Sequence, residues 1–212
     1  MTHAARSIFE QWRTTGIVLL AILVLCLIGT AARGEIPRLD GWVLEQGVDV
    51  PSYAVTEPAS TNLNIDTIAL VCEEAGNVRI AQLQLYLADD APLSPKGVPP
   101  ARLKPHPKAE VVIDRRVFSV QLLFADDYVL VADTQRDRYS TLSNDLLSAM
   151  ATGGTMTLRF DLVAENAGQP AAFDGEALVY LQAGRGGAAV NAIRRCADEP
   201  RDRGAEVARA RD

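Results

Sequence analysis

The alternation of apolar and polar residues predicts short β-strands over most of the chain. The clearest strand lies at residues 155–162 (TMTLRFDL), where every second residue is apolar: Met156, Leu158, Phe160 and Leu162. A period of two predicts one buried face and one solvated face. Similar alternation occurs at residues 78–87 (VRIAQLQLYL) and 115–124 (RRVFSVQLLF). The whole pattern predicts about seven or eight strands.

Two consecutive strands predict a β-hairpin. Residues 63–72 follow a rough period of two with a slip near Asp66, which we interpret as a β-bulge. The segment EEAGN (73–77) predicts a turn with Gly76 and Asn77 at its tip. The alternating run 78–87 follows directly, so the two strands should pair across this turn.

Two segments have helical spacing instead. An apolar stripe at i, i+4, i+7 and i+8 predicts an amphipathic helix that Ser140 or Thr141 caps and Gly153-Gly154 ends; its residues are Leu142, Leu146, Ala149 and Met150. Residues 188–196 (AAVNAIRRC) predict a short C-terminal helix. Between the predicted strands lies a proline-rich segment, residues 88–108, which predicts a long, stiff, exposed loop because proline cannot donate to a β-ladder.

The order of these elements predicts a mainly β (α+β) fold. Strands follow one another without regular βαβ alternation, so the sheet should be largely antiparallel. We expect either a β-sandwich or a sheet with helices packed at one end.

An uncharged apolar run near the N-terminus predicts export. Residues 16–32 (GIVLLAILVLCLIGTAA) follow a short head that carries Arg6 and Arg13 against Glu10, which is the layout of an export signal. Cleavage after Ala32 would release a soluble protein, and retention would leave a single-pass anchor. A buried core helix is disfavoured because the run has no polar face. Both export interpretations place the remaining chain in the periplasm.

The chain thus divides into five predicted parts. They are a basic cytoplasmic head (1–15), a transmembrane anchor or signal peptide (16–32), a linker or edge segment (33–62), an exported β-rich domain (63–197) and a charged disordered tail (198–212). Hydrophobic residues make up 48% of the chain, which excludes a disordered protein. Beyond residue 32, 19 Lys and Arg face 26 Asp and Glu, a net charge of −7, which argues against nucleic-acid binding.

The cysteines predict one disulfide. Cys26 lies within the apolar run and is interpreted as an apolar filler. Only Cys72 and Cys196 remain in the exported part, and two thiols in an oxidising compartment favour a bridge. This bridge would join the last helical segment to an early strand.

The polar residues provide few candidates for catalysis. His106 lies between two prolines, a context that favours a solvated histidine over a catalytic one. The pairs Asp89-Asp90 and Asp126-Asp127, with Asp133 and Asp137 nearby, are interpreted as polar turns, although paired carboxylates also occur in glycoside hydrolases. We therefore predict no catalytic, cofactor-binding or metal-ligating residue.

Basic and glycine-rich segments are interpreted structurally too. Residues 184–187 (GRGG) match a tight turn between a strand and a helix, with an anion site beside Arg185 as the weaker alternative. The pairs Arg115-Arg116 and Arg194-Arg195 indicate solvated surfaces.

Three segments carry a family resemblance: AEVVID (109–114), LSNDLLSAMATGGTMTLRF (142–160) and LVYLQAGRGGAAVNAIRRC (178–196). In this order they resemble the C-terminal half of the invasion-associated locus B proteins, which are small exported bacterial proteins. This chain departs from that family in lacking its additional cysteines. The resemblance implies an exported β-rich domain of accessory or host-interaction type, and no site residues.

These observations favour a non-enzymatic accessory or binding protein of the bacterial envelope. Its expected partners are another envelope protein and the inner membrane, the latter through residues 16–32, and we expect no cofactor. Two alternatives stay open: an envelope hydrolase using carboxylates such as Asp126 or Asp127, and a small-ligand carrier with a pocket between the sheet and the helix at 140–152.

Overall fold

Strands dominate the part of the chain that the computed structural model describes, which comprises residues 41–45, 53–165, 170 and 172–198. The strands are β1 (Val43–Glu45), β2 (Tyr53–Thr56), β3 (Ser60–Thr61), β4 (Ile65–Ala75), β5 (Val78–Leu87), β6 (Leu103–Ile113), β7 (Arg116–Phe124), β8 (Tyr128–Ala132), β9 (Thr134–Arg136), β10 (Tyr139–Thr141), β11 (Thr155–Val163) and β12 (Gly175–Tyr180). The two α-helices are α1 (Asn144–Thr152) and α2 (Gly186–Asp198).

Ten strands form one curled antiparallel sheet, in the order β1-β2-β4-β5-β8-β7-β6-β11-β12-β3. The remaining strands, β9 and β10, pair with each other. The predicted mainly β, antiparallel architecture with two helices is therefore confirmed. The sheet begins at Val43, ahead of the predicted domain boundary at residue 63, and the two edge strands β1 and β3 both come from the segment predicted as linker or edge.

The concave side of the sheet and the two helices enclose one hydrophobic core. Alternate residues of β4, β5, β8 and β11 fill it, as their period of two requires. Helix α1 contributes Leu146, Ala149 and Met150 of its predicted stripe, whereas Leu142 is buried just before the helix begins. Helix α2 contributes the predicted Ala189, Val190 and Ile193. Fully buried members include Ile68, Leu70, Leu83, Leu85, Val131, Leu146, Met150, Met156, Phe160, Val190 and Ile193.

The predicted hairpin is confirmed as β4 and β5. These strands pair from Ala75↔Val78 outward, and their two-residue turn places Gly76 at φ +61. The register shifts between Ile65 and Thr67, where the sequence predicts a bulge at Asp66.

Helix α1 starts later than the sequence predicts. Its N-cap is Ser143, whose Oγ accepts a hydrogen bond from Leu146 N at 3.1 Å. Ser140 and Thr141, the predicted caps, belong to β10, and the Thr141 hydroxyl donates to Ala81 O at 2.9 Å. Because strand pairing uses these two residues, the helix begins at the next residue able to cap it.

The predicted proline-rich loop is shorter than expected. A 3₁₀ turn (Pro100–Arg102) leads into β6, which contains Pro105 and Pro107, so residues 103–108 are strand rather than loop. The reason is positional. Ile113 pairs with Arg116 across a two-residue turn, so Ala109, Val111 and Ile113 direct their backbone groups toward β7.

Both prolines lie beyond the last β6–β7 pair, Ala109↔Val120. Their missing N–H groups therefore cost no hydrogen bond to β7. On the other edge, β6 pairs with β11 up to Lys108↔Asp161 and again at Leu103↔Val163, and the register shifts between these two pairs, where the prolines lie.

A disulfide joins the start of the fold to its end. Cys72 on β4 and Cys196 on α2 are bonded, with their Cα atoms 6.2 Å apart, and the two residues are 124 positions apart in sequence. Cys26 lies outside the described residues, as do the head (1–15), the apolar run (16–32) and residues 199–212 of the predicted tail. Among the helices of the described ranges, none has the length and apolar character needed to cross a membrane.

Candidate functional site

The sheet opens where β7 changes partners. From Arg116 to Val120, β7 pairs with β6, and from Gln121 to Phe124 it pairs with β8 on its opposite edge. The strands β6 and β7 consequently diverge after Ala109↔Val120. A cleft of about 670 Å³ lies between them.

The two sides of this cleft differ in their backbone groups. Backbone groups alternate in direction along a strand, so Leu122 and Phe124 direct theirs to the same side as Val120, which pairs with β6. Their N–H and C=O groups therefore point to the cleft. On the opposite side, Pro105 and Pro107 line the cleft and have no N–H group to donate. Within the described residues, no strand pair is formed across this gap.

Apolar side chains make up much of the cleft wall. Phe124 is 54% exposed and Phe173 is 39% exposed, and both line the cleft together with the half-buried Val120 and Leu122. Leu123, on the other face of β7, is 41% exposed. Aromatic and aliphatic side chains held at the surface of a rigid sheet are typical of binding sites.

An ion pair and a cation–π contact lie beside the cleft. Arg159 donates to Glu110 at 2.6 Å, and its guanidinium lies over the Phe173 ring, 4.4 Å from the ring centroid. This contact holds Phe173 beside the cleft.

A second ion-pair cluster lies further along β6. Lys104 donates to the carboxylates of Asp161, which is buried, and Glu165, the latter at 2.6 Å. The hydrogen bond to Asp161 is the largest cause that raises the pKa of Lys104, and the bond to Glu165 is the next largest. The Lys104 ammonium in turn lowers the pKa of Glu165 through their hydrogen bond. These charges satisfy one another and stabilise the β6–β11 pairing.

The two acidic pairs noted in the sequence meet at a neighbouring cleft. Asp89, Asp90, Asp126 and Asp127 line a depression of about 410 Å³ next to Phe124, which borders both clefts. Asp126 and Asp127 form the exposed turn between β7 and β8, as predicted. Asp89 Oδ1 accepts hydrogen bonds from Asn64 Nδ2 at 3.1 Å and Ala91 N at 3.2 Å.

The other acidic candidates lie elsewhere. The Asp133 carboxylate accepts from the backbone N–H of Ser143 at 2.6 Å and from its hydroxyl, so it positions the start of α1. Asp137 lies in the turn between β9 and β10 with φ +48. His106 is exposed on β6 and borders the 670 Å³ cleft.

The glycine-rich segment forms the turn between β12 and α2. Gly184 has φ +65, and a Cβ atom at Gly186 would lie 1.7 Å from Leu181 O, so only glycine fits there. Of the arginines noted in the sequence, Arg116 pairs with Asp145 at 2.7 Å and Arg194 with Asp198 at 4.0 Å.

The three segments that carry the family resemblance are in contact. Asp114 accepts hydrogen bonds from the backbone N–H groups of Thr155 and Gly154 at 3.0 and 3.2 Å, and these two bonds lower its pKa. Leu181 N donates to Gly154 O at 3.0 Å, and Gln182 Nε2 donates to Gly153 O at 2.7 Å. These hydrogen bonds therefore join the β6–β7 turn to the ends of α1 and β12.

Comparisons with known proteins returned no match to a protein-family model, a curated protein or a solved structure. In the described ranges, no group of three or more His, Cys, Asp or Glu side chains is arranged to hold a metal ion. The helix α1, where a small-ligand carrier would need its cavity, directs Leu146, Leu147 and Met150 into the core.

Sequence reasoning did not identify the β6–β7 cleft. One signal was present: Leu122, Leu123 and Phe124 are consecutive apolar residues at the end of an otherwise alternating strand. Such a run places apolar side chains on both faces. The sequence pattern predicts loop residues at Pro105 and Pro107, whereas the structure places both on β6 along one side of the cleft.

Proposed function

We propose that this chain is an exported, non-enzymatic binding protein of an oxidising compartment. It holds a protein partner at the cleft between β6 and β7. The observation that carries the proposal is the exposure of Phe124 and Phe173, both of which line the cleft at a break in the sheet. A partner that covers these large apolar side chains removes them from water, which stabilises the complex.

The proposed location rests on two features. Residues 16–32 have the layout of an export segment, either cleaved or retained as an anchor in the inner membrane. The Cys72–Cys196 disulfide is of the kind that persists in the periplasm and outside the cell. The resemblance to the invasion-associated locus B proteins supports the same compartment and an accessory role.

Site-specific photocrosslinking in the native cell tests this proposal. A photoreactive phenylalanine analogue replaces Phe124 in the full chain, and the matched control carries it at Tyr180, which is 53% exposed on β12. We expect an adduct with a distinct protein at position 124 and none at position 180. The purified partner should then bind Phe124→Asp at least about tenfold more weakly than Tyr180→Asp.

Two results would overturn the binding function: no adduct at position 124 above the level at position 180, or equal loss of affinity in both aspartate variants. A chain that crosslinks only to a second copy of itself would also reject a separate partner.

A second candidate function is supported by the acidic cleft. Four aspartates line one depression, and carboxylate pairs act as acid and base in glycoside hydrolases. This hydrolase would release reducing sugar ends from cell-wall glycan, and Asp126→Asn or Asp127→Asn would abolish the release while Asp66→Asn would not. Absence of reducing ends with the unaltered chain rejects it.

A further inference from the structure

We propose that the β6–β7 cleft binds an extended polypeptide segment, which pairs with β7 as an added strand and carries Lys or Arg at the end that reaches Asp126 and Asp127. This inference rests on the proposed binding function and specifies the chemistry of the partner. Strand addition to an open sheet edge is a common mode of peptide recognition.

The backbone of β7 provides the pairing edge. Leu122 and Phe124 direct their N–H and C=O groups toward the cleft, while Gln121 and Leu123 pair with Ala132 and Leu130 of β8. A strand placed in the cleft therefore completes the ladder that β6 leaves after Ala109↔Val120.

The prolines make this pairing one-sided. Pro105 and Pro107 donate no N–H group toward the cleft, so β6 cannot close the gap as a regular ladder. Proline is a residue that proteins use to protect sheet edges from pairing. The structure thus protects the β6 edge and leaves the β7 edge without such a residue.

The side chains around the cleft define what the segment carries. Phe124 and Phe173 offer apolar contacts to alternate residues of an extended segment. At the Phe124 end, the cleft adjoins the depression lined by Asp89, Asp90, Asp126 and Asp127. Charge complementarity therefore selects Lys or Arg at that end of the segment.

The same charges disfavour a lipid surface as the occupant. Four exposed carboxylates next to Phe124 would repel anionic headgroups, which attract basic rather than acidic protein surfaces. The acidic net charge of residues 33–212, −7, acts in the same direction and also disfavours a second copy of this chain.

Selection from a random peptide library tests the proposal. The full chain in detergent is panned against displayed decapeptides, and one enriched peptide is then synthesised. We expect enriched sequences with alternating apolar residues and a Lys or Arg at one end. Binding of the synthetic peptide should slow amide hydrogen exchange at Leu122 and Phe124 by at least about tenfold and leave Leu123, which is already paired, unchanged.

Matched variants separate the backbone from the charges. Methylation of one pairing N–H of the peptide should weaken its binding about tenfold, because a strand needs that donor. Asp127→Asn should weaken it about three- to tenfold, whereas Asp66→Asn, an exposed aspartate on β4, should leave it unchanged.

The outcomes distinguish this inference from the function on which it rests. No enrichment, enrichment of acidic peptides, or unchanged exchange at Leu122 and Phe124 would overturn strand addition, while a crosslinked partner at position 124 would leave the binding function standing. A peptide that slows exchange as expected supports strand addition, even where the cellular crosslink is absent and the binding function falls.

Discussion

The strands β4 and β7 are both rich in apolar residues, yet the structure uses them in opposite ways. In β4, Ile68, Leu70 and Cys72 are at most 1% exposed, whereas every residue of β7 is at least partly exposed. The difference comes from their neighbours. Strand β4 is paired on both edges from Ile68 to Val71, and α2 covers its inner face, while β7 is paired on one edge at a time.

This comparison separates apolar residues that stabilise the fold from apolar residues that are available for binding. Burial removes apolar surface from water and contributes about 25 cal/mol for each Å². The side chains of β4 have gained this free energy on folding. The exposed side chains of β7 gain it only when something covers them.

The largest expected effect concerns the disulfide that joins β4 to α2. Replacing Cys72 and Cys196 together by alanine should lower the free energy of unfolding by up to about 4 to 5 kcal/mol, because the disulfide restricts a long loop in the unfolded chain. Urea unfolding at neutral pH measures the loss. Dithiothreitol should destabilise the unaltered chain by a similar amount and leave the stability of the double variant unchanged. If dithiothreitol does not change the stability of the unaltered chain, the disulfide does not have this role.

A pair of leucine substitutions tests the comparison directly. Leu70→Ala in β4 should cost about 3 kcal/mol, because it leaves a cavity at a fully buried position. Leu123→Ala in β7, at a 41% exposed position, should change stability by less than about 1 kcal/mol. Urea denaturation of both variants measures the difference, and equal costs would show that β7 contributes to the core as β4 does.

The smallest expected effect concerns the turn that anchors β6 and β7. The N–H groups of Thr155 and Gly154 hold the folded pKa of Asp114 below its unfolded value of 3.8. Its contribution to stability is therefore present above that unfolded value and is lost as the pH falls through the folded pKa. Asp114→Asn should be less stable than the unaltered chain at about pH 6, and the gap should narrow at about pH 2.5.

Urea denaturation at the two pH values measures this gap. Asp90→Asn, on an exposed loop, serves as the control for the loss of one charge. A gap of equal size at both pH values would mean that the ionised carboxylate of Asp114 does not anchor the turn.

Local patterns were enough to predict several elements of the fold. The β4–β5 hairpin, its bulge near Asp66 and the end of α1 at Gly153 all follow from residues close together in sequence. The start of α1 did not follow. Ser140, Thr141 and Ser143 are all acceptable caps, and a distant group decides among them, since Thr141 bonds to Ala81 O.

The candidate site was the least predictable feature. Proline at positions 105 and 107 indicates a loop when only neighbouring residues are considered. The strand persists because these residues face a gap, and that gap exists only because β7 leaves β6 for β8. The meeting of Asp89-Asp90 with Asp126-Asp127 similarly depends on how β5 and β8 pair.

The amino-acid sequence by itself determined the strand period, the turn at Gly76, the two helices and the two cysteines available to the described fold, because each depends on the chemistry of nearby residues or on simple counting. Tertiary structure alone decided which apolar strand is buried and which edge remains open. Exposure and edge pairing are set by partners distant in sequence, so the same apolar composition stabilises β4 and leaves β7 accessible.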